Sequence, residues 1–184
     1  MTGTVAQPRT SLRLVSPHDI PFLIPALTDL LADSVNQGAS LGFIAPIEGH
    51  EAHRYWLSLL PTLEDKSRLL LAAYREHRII GTVQLHLAGS PNSHHRAEVQ
   101  KLFVATRLRG QGVGRSLLLG IHEEARRRGR TLMLLHTRVG NPAEQLYRGL
   151  GYREVGVVTG YTVGAKGERY DSLNMYLELP PLPG

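Results

Sequence analysis

Cysteine is absent from this 184-residue chain, which removes disulfides, a thiolate nucleophile and cysteine-ligated zinc from the chemistry open to it. Long apolar runs are absent too. None approaches the roughly 18 residues of a membrane-spanning helix, and the stretch around Arg9 and Arg13 has no signal-peptide hydrophobic region. A cytoplasmic protein with no membrane partner is expected. Metal-ligand spacing is also missing. His50 and His53 stand three apart rather than four, no third ligand accompanies them, and His94-His95 sits in a Ser/Asn/Pro-rich loop. No metal is expected despite nine histidines.

Lysine is scarce, three against 18 arginines, in a chain of formal net charge +5. Arg126, Arg127, Arg128 and Arg130 cluster where a helix is expected to end. Basic clusters mark nucleic-acid surfaces, but arginines at a helix C-terminus also complement its dipole on a solvated face. The second reading is preferred, and no nucleic-acid partner is expected. With 42% hydrophobic residues the length suits one domain with a sizeable core. That domain is placed at 11–179, between a frayed N-terminus (1–10) and a proline-rich tail (180–184).

Periodicity predicts the elements. Leu12 to Val15 reads as a first strand. Ile20, Leu23, Ile24, Leu27, Leu30 and Leu31 recur at helical spacing within a helix over about 17–35, and a second helical stretch covers about 50–60. Residues 69–74 and 79–87 form a hairpin around Arg75-Glu76-His77-Arg78, with Val83, Leu85 and Leu87 alternating against Thr82, Gln84 and His86. A strand over 97–104 leads to a helix from Gly112 to about Arg128, striped by Val113, Leu117, Ile121 and Ala125. Then follow a strand at 132–137, a short helix at 142–150, and strands at about 152–163 and 170–179 flanking Gly164-Ala165-Lys166-Gly167. The fold class is α/β (α+β): a single mixed, mostly antiparallel sheet of six to seven strands with about four helices.

Between the strand at 97–104 and the next helix lies Arg109-Gly110-Gln111-Gly112-Val113-Gly114-Arg115. Glycines at a helix entrance let a diphosphate lie directly on backbone amides at the positive end of the helix dipole. The spacing excludes the two commonest phosphate ligands. A nucleotide P-loop needs Gly-x-x-x-x-Gly-Lys-Ser/Thr, but here Arg115-Ser116 follows the last glycine; the dinucleotide pattern Gly-x-Gly-x-x-Gly fails at Val113 and at Leu117.

What remains, Arg/Gln-x-x-Gly-x-Gly on Arg109, Gly112 and Gly114, resembles the GNAT superfamily of acetyl-CoA-dependent N-acetyltransferases. The strand Ala97 to Val104 before the loop and the run Ala143-Glu144-Gln145-Leu146-Tyr147-Arg148-Gly149-Leu150-Gly151-Tyr152 after it stand in that family's order. The resemblance implies a splayed sheet and acetyl-CoA as acetyl donor. The backbone of Leu102, Phe103 and Val104 would bind its pantetheine arm, and the loop Arg109, Gly110, Gln111, Gly112, Val113, Gly114 and Arg115 its diphosphate. Arg107, Arg109 and Arg115 suit its phosphates. Asn141 is a candidate coenzyme contact, although the family often has its asparagine where Gly140 stands here.

By the same resemblance Glu98, eleven residues before Arg109, matches a catalytic glutamate and is the candidate base. A primary amine of pKa near 10.4 costs about 4 to 5 kcal/mol to deprotonate at pH 7, and a positioned carboxylate takes that proton directly or through water. Tyr147 matches a tyrosine placed near the coenzyme sulfur, where it would hydrogen-bond the departing thiolate. The segment 38–43 with Tyr55-Trp56, and Gly160-Tyr161, Asp171 and Tyr176, resemble the tabtoxin-resistance-type branch, which implies a small amino-acid-like or antibiotic amine as acceptor. Phe43, Tyr55 and Trp56 would wall its pocket. The expected function is direct acetyl transfer in a ternary complex, by a monomer or homodimer. A protein N-terminal or lysine acetyltransferase, and a catalytically silent acetyl-CoA-binding module, are the alternatives.

Overall fold

The computed structural model describes residues 9–39 and 41–182; most of the segment expected to fray, Ser40 of the 38–43 motif and the last two residues lie outside them. Seven strands form one mixed sheet in the order β1-β2-β3-β4-β5-β7-β6. They are β1 (Ser11–Leu14), β2 (Arg68–Arg75), β3 (Arg78–Leu87), β4 (Arg96–Val104), β5 (Leu132–Arg138), β6 (Arg153–Val163) and β7 (Arg169–Glu178). Only β4 and β5 run parallel.

The predicted hairpin is β2–β3, and its turn is made by Glu76 (φ 50°) and His77 (φ 65°). Both occupy the left-handed region that a two-residue hairpin with right-handed twist requires, although neither is the usual glycine or asparagine. The helix expected over 17–35 starts as a 3-10 turn at Pro17–Asp19 and continues as α1 (Ile20–Asn36). Pro21 is tolerated there because a first-turn amide has no intrahelical acceptor. The stretch expected over about 50–60 is α2 (Gly49–Ser58), and the helical chain runs on past its expected end as α3 (Leu60–Glu64), where Pro61 opens a new turn. With α4 (Val113–Arg126) and α5 (Ala143–Arg148) the expected four helices stand, one of them bent.

The sheet is covered on both faces by separate cores. Val113, Leu117, Ile121 and Ala125 of α4 pack with Leu85, Val99, Met133 and Leu135 against one face. Ile20, Leu27 and Leu31 of α1 and Trp56 of α2 pack with Leu70, Ala72 and Phe103 against the other. The α1–α3 cover lies over β2–β4 and leaves the same face of β5, β7 and β6 open. Ala97, Val99 and Val104 of β4 serve the α4 face, while Glu98 and Gln100, alternating with Ala97 and Val99, point to the face beside α2.

Candidate active site

The β4–α4 connection is held at both ends. Asp33 of α1 accepts a hydrogen bond from the Thr106 amide at 2.8 Å, and Arg75 of β2 donates to Gln111 Oε1 at 2.9 Å. Gly110 (φ 75°) and Gly112 (φ 78°) are both left-handed, which lets the chain turn into α4. A Cβ at either would meet nothing within 4 Å, so open space lies over the backbone at both positions. Gly112 caps the helix without a side chain, and the first amide to find an intrahelical acceptor is that of Ser116, bonded to the Gly112 carbonyl at 3.0 Å. The amides ahead of it are left for a ligand, at the positive end of the dipole. Arg107, Arg109 and Arg115 are exposed around them. Such a concavity, open, amide-lined and flanked by guanidinium groups, fits an anionic diphosphate.

Beside it the sheet parts. β4 and β5 pair only at Arg96, Ala97 and Glu98, opposite Leu132, Met133 and Leu134, although β5 runs on to Arg138. β4 diverges because it carries a bulge: Lys101 and Leu102 together face Val83 of β3, and Lys101 takes φ 49°. An extra residue bends a strand and increases its twist. The β4 edge from Val99 to Val104 that faces β5 thus has no strand partner among the described residues.

On the face away from α4, polar side chains line this parting. Arg68 of β2 donates to Gln84 Oε1 at 3.0 Å and to Gln100 Oε1 at 2.7 Å, and Gln84 Nε2 donates to the Tyr55 hydroxyl at 2.8 Å. Burial pushes the Tyr55 pKa up to about 12. Lys101 donates to the Leu41 carbonyl, with its ammonium 5.3 Å from the Phe43 ring and 5.8 Å from the Tyr55 ring. Burial, reinforced by the Arg68 charge, lowers its pKa. His136 Nδ1 lies 3.3 Å from Glu98 Oε1. The hydrogen bond from His136 is the main reason the Glu98 carboxyl is held below the usual carboxylate range; Gln100 and the charges of His136 and His86 add to it, against the opposing effect of burial. An open depression of about 440 Å³ continues from Glu98 along His86, Ser90, Arg96 and Leu134.

The model of the Acetyltransferase (GNAT) family matches residues 30–152. The chain belongs to that family. An uncharacterised N-acetyltransferase from the hisH-hisA intergenic region of Azospirillum brasilense is 29% identical over 140 residues, covering 75% of this chain and 77% of that protein. The fold is shared with the ribosomal-protein-alanine N-acetyltransferase of Brucella melitensis (TM-score 0.73, 24% identity, 92% of this chain and 99% of that one). It is shared too with YncA of Salmonella typhimurium, solved with its cofactor acetyl-CoA (TM-score 0.73, 18% identity, 96% and 97%).

Within this acetyltransferase the sequence-derived positions divide. Leu102, Phe103 and Val104 lie on the unpaired edge of β4, and Arg109 to Arg115 form the amide-lined turn. Gly114 sits where α4, β4 and α5 meet, its position for a Cβ 3.4 Å from Leu146 and 4.0 Å from Val104. Tyr147 is buried, with Tyr152 edge-on at 5.7 Å, and burial pushes its pKa up to about 12. Phe43 stands beside the Lys101 ammonium, its ring edge-on to Tyr55 at 5.1 Å. Trp56 is a correction: it is fully buried against Phe103 in the α1–α2 core, so it has no surface with which to wall a pocket. Asn141 Oδ1 accepts the Ala143 amide at 2.9 Å in the turn that leads into α5. The arginine cluster is engaged at home, with Arg126, Arg127 and Arg128 paired to Glu123 and Glu124 and Arg130 donating to the Ala88 and His94 carbonyls. Among the described residues no cluster of three metal-ligating side chains occurs, and no helix is long and apolar enough to cross a membrane.

Sequence reasoning missed Arg68, Gln84, Gln100, Lys101, His86 and His136. Their signal was faint but present: polar residues two apart in otherwise apolar strands, Gln84 and His86 in β3 and Glu98 and Gln100 in β4, mark one face that water or a ligand must reach.

Proposed function

We propose that this protein moves the acetyl group of acetyl-CoA to the primary amine of a small, amino-acid-like or antibiotic molecule, directly and in a ternary complex. The observation that carries the reading is the parting of β4 from β5, with free helix-entrance amides on one side and a polar face bearing Glu98 on the other. Acetyl-CoA supplies the acetyl group as a thioester open to attack by a neutral amine. The amides of Gly112, Val113, Gly114 and Arg115 bind its diphosphate, with Arg109 at the rim. The free edge of Leu102 to Val104 receives its arm as an added strand, a use of unpaired backbone that needs no side chain.

The acceptor enters from the opposite face, between Phe43 and the Glu98–His136 pair, and loses its proton to that pair. Deprotonation at pH 7 costs about 4 to 5 kcal/mol for an amine of pKa near 10.4, and positioned proton acceptors return about 10²- to 10⁴-fold in rate. Tyr147 donates a hydrogen bond to the departing sulfur. With its pKa near 12, against about 8.5 for an ordinary thiol, handing over the proton is uphill by about 5 kcal/mol, so the phenol stabilises charge rather than acting as an acid.

A small acceptor is supported by the closed α2 side of this face, where Lys101, Phe43 and Tyr55 are packed together, and by the likeness of 38–43, Tyr55-Trp56 and Gly160-Tyr161 to the tabtoxin-resistance-type branch. The same reading has the enzyme working in the cytoplasm as a monomer or homodimer. A protein amine is the second reading, favoured by the open end of the face over β5–β7. Thiol release from acetyl-CoA, measured across amino acids, polyamines, aminoglycosides and peptides, decides: turnover with amino-acid-like amines supports the proposal, turnover with peptides alone replaces it, and none with any amine overturns acetyl transfer.

A further inference from the structure

We propose that His136 is the catalytic residue that takes the acceptor's proton, and that Glu98 is a positioning residue acting through it. The inference rests on the acetyl-transfer reading and assigns the proton within it.

Geometry sets the two apart. β4 and β5 last pair at Glu98 and Leu134, and two residues further along β5 the His136 side chain returns to the same face at the point where the strands separate. Glu98 is flanked on both sides: His86 is its direct cross-strand partner on β3, and His136 Nδ1 is 3.3 Å from its Oε1. His136 is the more open of the two, with 41% of its side chain accessible against 32% for Glu98. The imidazole is also fixed from the other side by the Tyr161 ring of β6, centroid to centroid 5.3 Å. A carboxylate on Nδ1 settles the tautomer and leaves Nε2 as the acceptor, the division of labour a carboxylate imposes on a neighbouring histidine in hydrolytic triads.

Chemistry points the same way. A carboxylate already accepting hydrogen bonds, and held below its usual range by them, is a poor match for an ammonium proton. An imidazole is the stronger base and changes charge between about pH 5 and 8. Around His136 on this face stand Glu98 of β4, His86 of β3 behind it, Tyr161 of β6, Asn174 directly opposite on β7 with Tyr176 opposite Leu134, and Arg138 further along β5, so one anion faces the ring directly. In the reaction the ammonium N–H bond breaks to Nε2 of His136. The neutral nitrogen forms the new C–N bond as the C–S bond breaks, its second proton goes to sulfur, and His136 returns the first to solvent. The sum is ammonium plus thioester giving amide, thiol and one proton.

The test is the pH profile of kcat/KM by thiol release for the wild type, His136→Gln and Glu98→Gln, using the best amine from the acceptor screen, with acetyl-CoA affinity measured by calorimetry to confirm that each variant is folded. The wild-type rate rises with pH along one ionisation. His136→Gln lowers kcat by about 10²-fold or more and abolishes that limb. Glu98→Gln lowers kcat by about tenfold and keeps the limb, because the group that takes the proton is still in place. A limb that survives in His136→Gln and vanishes in Glu98→Gln makes Glu98 the base and overturns the inference while leaving acetyl transfer standing. A wild type that releases no thiol with any amine removes the acetyl-transfer reading, and this assignment falls with it.

Discussion

Acidification attacks this fold at a buried imidazole. His122 of α4 is buried, 3% exposed, with Nε2 2.8 Å from the Tyr152 hydroxyl; burial first, and then the Arg126 charge, push its pKa from 6.5 down to about 4. In the unfolded chain an imidazole takes a proton near pH 6.5. Between those values the unfolded state binds a proton that the folded state refuses. Stability therefore falls as pH drops from about 6.5, and the loss is complete near pH 4. A depression of about 2.5 units at 1.36 kcal/mol each amounts to about 3 kcal/mol, of which about 2.5 kcal/mol is already lost at pH 4.5. Carboxylates with lowered pKa, Glu98 among them, also weaken the fold in acid, so the comparison must be differential. Urea unfolding of the wild type and of His122→Phe at pH 7 and 4.5 supplies it. The variant starts lower at pH 7, by about 1 to 3 kcal/mol for the orphaned Tyr152 hydroxyl, but loses about 2.5 kcal/mol less on acidification. Equal losses in the two proteins refute the reasoning.

Two further outcomes follow from the geometry. Gly112→Ala forces a methyl-bearing residue into φ 78°, at about 1 to 2 kcal/mol, over the amides assigned to the diphosphate; steady-state kinetics show the KM for acetyl-CoA raised about tenfold with the acceptor KM little changed. Trp56→Ala costs about 3 to 5 kcal/mol in urea unfolding, while Trp56→Phe keeps the acceptor KM within about twofold, because the side chain belongs to the core and not to the pocket.

Much of this architecture was legible because each signal was local. The α4 stripe Val113, Leu117, Ile121 and Ala125 is buried as its four-residue recurrence requires, and Gly110 and Gly112 stand where left-handed turns leave open space. The bend at Pro61 and the bulge at Lys101 were not legible. The first splits a helix whose apolar spacing continues through it, and the second puts a lysine at positive φ, where no residue preference points. The polar face bearing Glu98 was hidden for another reason. Arg68, Gln84, Gln100 and Tyr55 meet only through the β2–β3–β4 register and the docking of α2, and His136 meets Glu98 only because β4 and β5 are parallel neighbours. Such contacts are set by topology, and a sequence read strand by strand does not show them. Trp56 was misplaced because an aromatic on an amphipathic helix fits a core and a pocket wall equally well until the helix is docked.

The central claim is that backbone amides at the entrance of α4 hold the coenzyme's diphosphate. Titration calorimetry with acetyl-CoA, and with S-acetyl-pantetheine, which keeps the thioester arm and lacks the diphosphate and the 3′-phosphoadenosine beyond it, tests it without altering the protein. At about 1.5 to 3 kcal/mol for each charge-assisted hydrogen bond, losing two or three of them weakens binding by at least about a hundredfold. Saturable heat from acetyl-CoA with that deficit for S-acetyl-pantetheine is the predicted result; equal affinity for the two, or no heat from millimolar acetyl-CoA on folded protein, contradicts it.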